Sequence, residues 1–323
     1  MSRTTTGRPS TDRVRAAIRA SGRSQRQVAA EMGMDETKLS KSLSGQRRFT
    51  DDEFVTLARV TGVPVGELLE QGPGEAPVSV APPETDPSGA SPSTPEQARR
   101  RLEIIESAWR LFARTGFEAV RVSDIAAAAG VSSATVHYYF PAKPDLFAMA
   151  LSHSVKLAYD RQVARLTGVQ DPVERLWRLL EMQSPHGEAG RLDWSIWLQS
   201  WNRVALAGGR DEEYVEIYRR WSETVRSAID AGQRAGTFQP GPSEDLTGEL
   251  TAFVDGLGVQ VLTGVLSEED MERRLREHLR RRILQPDVDL PGEDLPDVDL
   301  PGEDLPIERP VPSSQGSPPA VEA

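Results

Sequence analysis

The chain has no cysteine, which excludes disulfides, thiolate zinc sites and cysteine nucleophiles together. Histidine is nearly as scarce: His137, His153, His186 and His278 never fall at metal-ligand spacing with a carboxylate on a shared face, so neither a metal nor another cofactor is expected. Long apolar runs are missing too. None approaches the roughly 18 to 20 residues of a membrane span, and the start, Met1 to Ser10, is polar. We expect no membrane partner and a cytoplasmic location. There is neither a GxSxG turn nor a phosphate loop, and no nucleophile, base and oxyanion donors form a plausible constellation, so an enzyme is not expected. Alternating strands with hairpin turns are absent as well, which leaves an all-α fold.

Basic charge is short overall, with a net charge of −11, and that argues against a nucleic-acid partner until its distribution is seen. From Pro286 to Glu308 there are nine acids and no Lys or Arg, whereas the first fifty residues carry eleven Lys or Arg against four acids. The charge is segregated, as in a DNA binder with an acidic tail. Within that tail the unit PDVDLPGEDL occurs twice in tandem, from Pro286 and from Pro296. Proline punctuation and self-repelling charge predict disorder there. A second proline-rich stretch, GPGEAPVSVAPPETDPSGASPSTP, has too few large apolar residues for a core and reads as a flexible linker. The expected organisation is a helical module at 11–71, a disordered linker at 72–95, a second helical module at 98–158, a further helical domain at 159–284, and the acidic disordered tail at 285–323.

In the first module Thr11 to Ala20 forms one helix, and Ser24 with Gln27 makes a capping box for Gln25 to Met32. A turn at Gly33 comes next, then a short helix started by Asp35 that buries Leu39 and Leu43 and turns Glu36, Thr37, Lys38 and Lys41 outward. Thr50 with Glu53 caps a further helix carrying Phe54, Val55, Leu57 and Ala58. The segment QRQVAAEMG, the step from Gly33 to Gly45 and the trailing GQRRF resemble the Cro and phage-repressor (Xre-type) helix-turn-helix family, although Ser42 stands where that family usually has an apolar residue. The resemblance implies that Gln25, Arg47 and Arg48 contact phosphates while Glu36, Thr37, Lys38 and Lys41 reach base edges. A helical bundle used for protein contact is the alternative.

The second segment opens with an amphipathic helix, Arg99 to Thr115, carrying Leu102, Ile105, Ala108, Trp109 and Phe112 on one side. Val122 to Ala129 is the next helix, with Ser123 as its expected N-cap, then a tight turn at Gly130 and a short helix, Ser133 to Phe140, capped by Ser132. Lys143 and Pro144 begin the next long helix. The run DIAAAAGVSSATVHYYFPAKPDL within this segment resembles the TetR family of regulators across its DNA-binding domain. The resemblance implies that Ser133, Ala134, Thr135 and Tyr138 face base edges, that Ser123, His137, Tyr139 and Lys143 grip phosphates, and that Ser132 holds the start of the recognition helix. His137 stands where that family usually has tyrosine, and Pro144 replaces a usual acid.

Beyond Asp145 the periodicity predicts helices over Asp145–Leu166, Asp171–Gln183, Arg191–Ala207, Asp211–Ala235, Ser243–Gly264 and Ser267–Leu284. Trp194, Trp197 and Trp201 share a helical face, and Trp177, Tyr214, Tyr218 and Trp221 come from neighbouring helices. Such aromatics are ordinary core residues or an effector pocket. The region running from RLDWSIWLQSWNRVA to LTAFVDGLGVQVLTG is similar to the C-terminal domain of BetI-type regulators. That implies a small-molecule effector, with Trp177, Gln183, Trp194, Trp197, Trp201, Asn202 and Tyr218 as candidate contacts and His153 as a further polar one. An aromatic box suits a quaternary ammonium, and choline is one candidate among lipophilic or cationic molecules. Gly248, Gly256 and Gly258, with Phe253, Val254, Leu257, Val259 and Leu262, suggest a close-packed homodimer interface, and Asp255 among them must be paired or hydrated if buried. The expected function is a ligand-responsive homodimeric repressor on a pseudo-palindromic DNA operator, with a second reader per chain.

Overall fold

The computed structural model describes residues 11–69, 94–208 and 211–291. The described residues are helical between turns, apart from isolated bridging such as that joining Phe238 and Leu284. Five helices form the N-terminal module: α1 (Thr11–Ala20), α2 (Gln25–Glu31), α3 (Glu36–Leu43), α4 (Asp51–Thr61) and α5 (Val65–Leu68). Both capping boxes form, Ser24 with Gln27 and Thr50 with Glu53, so at each of these helix starts two otherwise free N–H groups are satisfied within four residues. Val14, Val28, Leu39, Leu57 and Leu68 fill the core. Ser42 is buried too, and its Oγ accepts a hydrogen bond from Arg47 at 2.9 Å, which accounts for a hydroxyl inside this core.

The second helix-turn-helix comprises α6 (Pro95–Thr115), α7 (Val122–Ala128) and α8 (Ser133–Tyr139), succeeded by the long α9 (Lys143–Leu166). The N-cap of α7 is Arg121, not Ser123, because the Asp124 carboxylate accepts from the Arg121 backbone N–H at 2.8 Å. Gly130, at φ 64°, makes the left-handed turn into α8 that a side chain would strain. Ser132 then caps α8, its Oγ accepting from the Thr135 N–H at 3.1 Å. Ile104, Phe112, Ile125, Val136, Phe140 and Phe147 make one core under these helices, and Ile196 from the C-terminal domain joins it.

That domain contains α10 (Pro172–Met182), α11 (Gly187–Ala207), α12 (Glu212–Ala235), α13 (Ser243–Leu262) and α14 (Glu268–Arg282). After α14 the chain pairs with the α12–α13 turn: Gln239 donates to the Ile283 carbonyl at 2.7 Å and Gln285 to the Thr237 carbonyl at 3.0 Å. Leu290 is buried and the Pro291 carbonyl accepts from Arg276 at 3.0 Å. Residues 285–291, whose composition assigned them to the tail, therefore lie against the body. The rest of the tail, and all but the end of the linker, lie outside the described residues.

The N-terminal module does not stand apart from the C-terminal domain. Helices α4 and α5 lie along α9, and Val163 and Ala164 of α9 are buried in the module's own apolar cluster beside Leu157 and Tyr159. Arg59 pairs with Glu106 of α6 at 2.9 and 3.1 Å, and Asp51 lies 3.9 Å from Arg165. The expectation was a second reader on a flexible linker; the module docks, and α9 supplies apolar side chains to its core.

Candidate functional site

Two exposed helices carry the residues expected to read DNA. On α8, Ser133, Ala134 and His137 are exposed and Tyr138 is 68% exposed, while Thr135 is half-buried with its hydroxyl 2.8 Å from Ser132 Oγ. Ser123 is exposed on α7. Tyr139 faces inward as part of the core, with its ring edge-on to Tyr138. The Lys143 ammonium sits 4.2 Å from the Phe117 ring centroid, and the Arg203 guanidinium sits 4.1 Å from the same ring. On α3, Glu36, Thr37, Lys38 and Lys41 are exposed, as are Gln25 and Arg48. Arg47 is turned into its own module: it donates to both oxygens of Glu53, at 2.6 and 2.7 Å. Lys38 Nζ lies 2.9 Å from the same carboxylate. Burial alone would raise the Glu53 carboxyl, but these donors hold it below its ordinary value. Arg47 therefore serves an internal ion pair rather than presenting itself to phosphate.

Between α9, α11, α12 and α13 lies a cavity of about 130 Å³. Among the expected contacts it gathers Gln183, Trp194, Trp197, Trp201 and Tyr218, and it adds Trp221, Tyr159, Gln162, Asp193 and Asp255. Trp177 lies outside it, buried under the Arg276 guanidinium 4.0 Å from its ring. Asn202 is exposed on α11. His153 packs edge-on to Trp109, and burial pushes its imidazole down to about 4. The cavity aromatics are held in place: the Trp194 indole donates to the Gln183 carbonyl at 2.8 Å and its ring meets Trp201 edge-on. Trp194 also rests on Gly258 of α13, where an added Cβ would stand 2.0 Å from the ring. Gly258 therefore serves close packing inside the chain and not the dimer face proposed from its spacing.

The charges around the cavity are unevenly balanced. Asp193 is neutralised by Arg161 and accepts from Ser154 at 3.0 Å, and Arg220 pairs with Glu216 at 2.8 Å. Asp255 accepts from the Tyr218 hydroxyl at 2.7 Å, and no ion pair to it is present among the described residues. Burial raises its carboxyl above the ordinary value despite that hydrogen bond. Burial and the neighbouring Asp255 likewise keep Tyr218 protonated. Trp201 Nε1 is a second unbalanced group, buried with no acceptor among the described residues. The wall thus offers π faces and one uncompensated carboxyl. No helix among the described residues is long and apolar enough to cross a membrane, and no cluster of His, Asp or Glu among them could hold a metal.

Helix α11 joins the cavity to the reading head. Trp194, Trp197 and Trp201 face the cavity, while Gln199 of the same helix accepts from the Phe117 N–H at 2.7 Å and donates to the Phe112 carbonyl at 2.9 Å.

Three families match the chain: a helix-turn-helix domain over residues 11–71, the bacterial regulatory proteins of the tetR family over 104–150, and the C-terminal domain of BetI-type transcriptional repressors over 172–284. The crystal structure of a putative transcriptional regulator from Saccharomonospora viridis, in complex with choline, is 42% identical, with a TM-score of 0.56, covering 58% of this chain and 99% of that one. The HTH-type transcriptional regulator BetI of Rhizobium meliloti (strain 1021) is 26% identical over 50% of this chain and 77% of its own length. PksA of Bacillus subtilis (strain 168), another HTH-type transcriptional regulator, is 24% identical over 63% and 95%. With the recognition helix exposed, and with a relative matched end to end at that identity, the chain belongs to the TetR family of DNA-binding transcriptional regulators, with a BetI-type C-terminal domain and a further helix-turn-helix domain ahead of it.

Proposed function

We propose that the protein is a homodimeric repressor released from a pseudo-palindromic operator by a compact quaternary ammonium of the choline class. The observation that carries this is the cavity: four tryptophans and Tyr218 line it together with Asp255, a carboxylate with no cation of its own. A cation over aromatic faces gains about 0.5 to 2 kcal/mol, more when desolvated. A cavity near 130 Å³ is close to the roughly 150 Å³ that accepts one benzene, which favours a small effector. The relative from S. viridis, bound to choline, supports the same chemistry.

On DNA, Ser133, Ala134, Thr135 and Tyr138 would enter the major groove, with Ser123, His137 and Lys143 at phosphates and Ser132 fixing the start of α8. Helices α13 and α14 would pair with their twofold mates; Gly248, Ala252 and Gly256 give that face small residues every fourth position, all exposed. Effector entry displaces α11, and Gln199 carries the displacement to Phe112 and Phe117 beneath the recognition helix. The two α8 helices then lose their spacing. For the N-terminal module, DNA reading through α3 is favoured over protein contact, because docking occupies α4 and α5 and leaves α3 exposed.

The test is calorimetry with choline and with its neutral isostere 3,3-dimethylbutanol, beside gel shifts on DNA selected from a random pool by the purified chain. Choline should bind and release the selected DNA. Equal binding of the neutral isostere would defeat the assigned role of Asp255.

A further inference from the structure

Helix α9 is shared between two neighbours. Ser154, Ala158 and Gln162 line the cavity, while Val163 and Ala164 are buried in the core of the N-terminal module. Tyr159 belongs to both, lining the cavity and packing on the module. The module also reaches beyond α9, since Arg59 is paired with Glu106 on α6, the first helix of the second reading head. It therefore touches the cavity wall and the reading head at once.

We propose that the N-terminal module is an intramolecular clamp fastening α9 to α6, and that filling the cavity loosens it. This rests on the reading of the cavity as the effector site. Close-packed interiors are nearly incompressible, so a molecule larger than the existing space moves a wall. When that wall is α9, Val163 and Ala164 shift against the module. Linkage makes the effect reciprocal: the factor by which docking weakens effector binding equals the factor by which effector weakens docking, commonly about 5- to 150-fold. Effector occupancy would then reach both readers of the chain, one through α11 and the other through α9.

The lack of native cysteine makes a direct test possible. Gly66 lies within α5, and a Cβ there would stand 3.9 Å from Val163 Cγ1, near enough for a Gly66→Cys, Val163→Cys pair to bridge with a small adjustment. Calorimetry with choline on the full chain is compared between the oxidised and reduced forms. The bridged form should bind choline at least about 5-fold more weakly, and choline should slow formation of the bridge. Arg59→Glu sets like charges against Glu106 and gives the converse, tighter choline binding, which keeps the test alive if the cysteine pair does not fold. Equal choline affinity in all three forms overturns the clamp. Choline bound by none of them removes the effector reading instead, and the clamp is then decided on the selected operator DNA: the same affinity in the bridged form and in Arg59→Glu overturns it.

Discussion

Gly258→Ala is the substitution whose outcome depends most on close packing inside the chain. In an exposed helix, replacing glycine by alanine gains about 1 kcal/mol from helix propensity. At Gly258 the new Cβ would stand 2.0 Å from Trp194 Cη2 and 2.4 Å from two further ring atoms. An indole cannot compress, so the ring must move. Its Nε1 hydrogen bond to the Gln183 carbonyl, at 2.8 Å, is then lost, at about 1 kcal/mol, and overpacking adds about 1 to 3 kcal/mol. Propensity offsets the hydrogen bond, which leaves a net loss of about 1 to 3 kcal/mol. Urea denaturation monitored by circular dichroism, at matched protein concentration, reads this directly. A Gly258→Ala chain as stable as the unaltered chain would refute the close approach of α13 to Trp194.

Asp255→Asn should raise stability near neutral pH and weaken choline binding about tenfold or more. Because its carboxyl is raised, the stability linked to it is present at low pH and lost as pH rises through the raised value. Choline binding by the unaltered chain should weaken as pH falls through that same value. Tyr138→Ala, at a side chain 68% exposed, should leave stability within about 0.5 kcal/mol while costing about 1 to 3 kcal/mol of operator binding in gel shifts. Arg47→Ala should lower the module's stability by about 1.5 to 3 kcal/mol without changing the salt dependence of DNA binding, whereas Arg48→Ala should reduce that salt slope by about 1. His153 is held down to about 4 by burial, so the stability linked to it is full above pH 6.5 and is lost as pH falls from there toward about 4; thermal scans across this range should show falling Tm, an effect removed in His153→Gln.

What was legible in the sequence is what short-range chemistry encodes. Ser24 with Gln27, Thr50 with Glu53, Ser132 before α8 and Asp171 before Pro172 all lie within three residues of the N–H groups they satisfy, so these helix starts could be read directly. The cap of α7 was misplaced because Ser123 is a stronger cap by type, yet the Asp124 carboxylate reaches back to Arg121. Trp194, Trp197 and Trp201 shared a visible face, but which tryptophans open onto the cavity depends on neighbours far along the chain. Trp177, of the same residue type, is covered by Arg276 about a hundred residues later. Gly258 shows the same limit, since spacing marks a close approach without naming what approaches. The docking onto α9 left no pattern at all: α9 buries residues on several faces, and the proline-rich linker reads the same whether its two ends are docked or free.

Four of the six tryptophans, Trp194, Trp197, Trp201 and Trp221, line one cavity, and two of them meet edge-on at 5.9 Å. The ultraviolet emission of this chain is therefore weighted toward a single location. Trp109 and Trp177 lie outside the cavity and supply a steady background. A cation seated against the four rings would alter the quantum yield and colour of most of the emitted light, so the protein carries its own optical reporter for whatever enters, with no dye to attach.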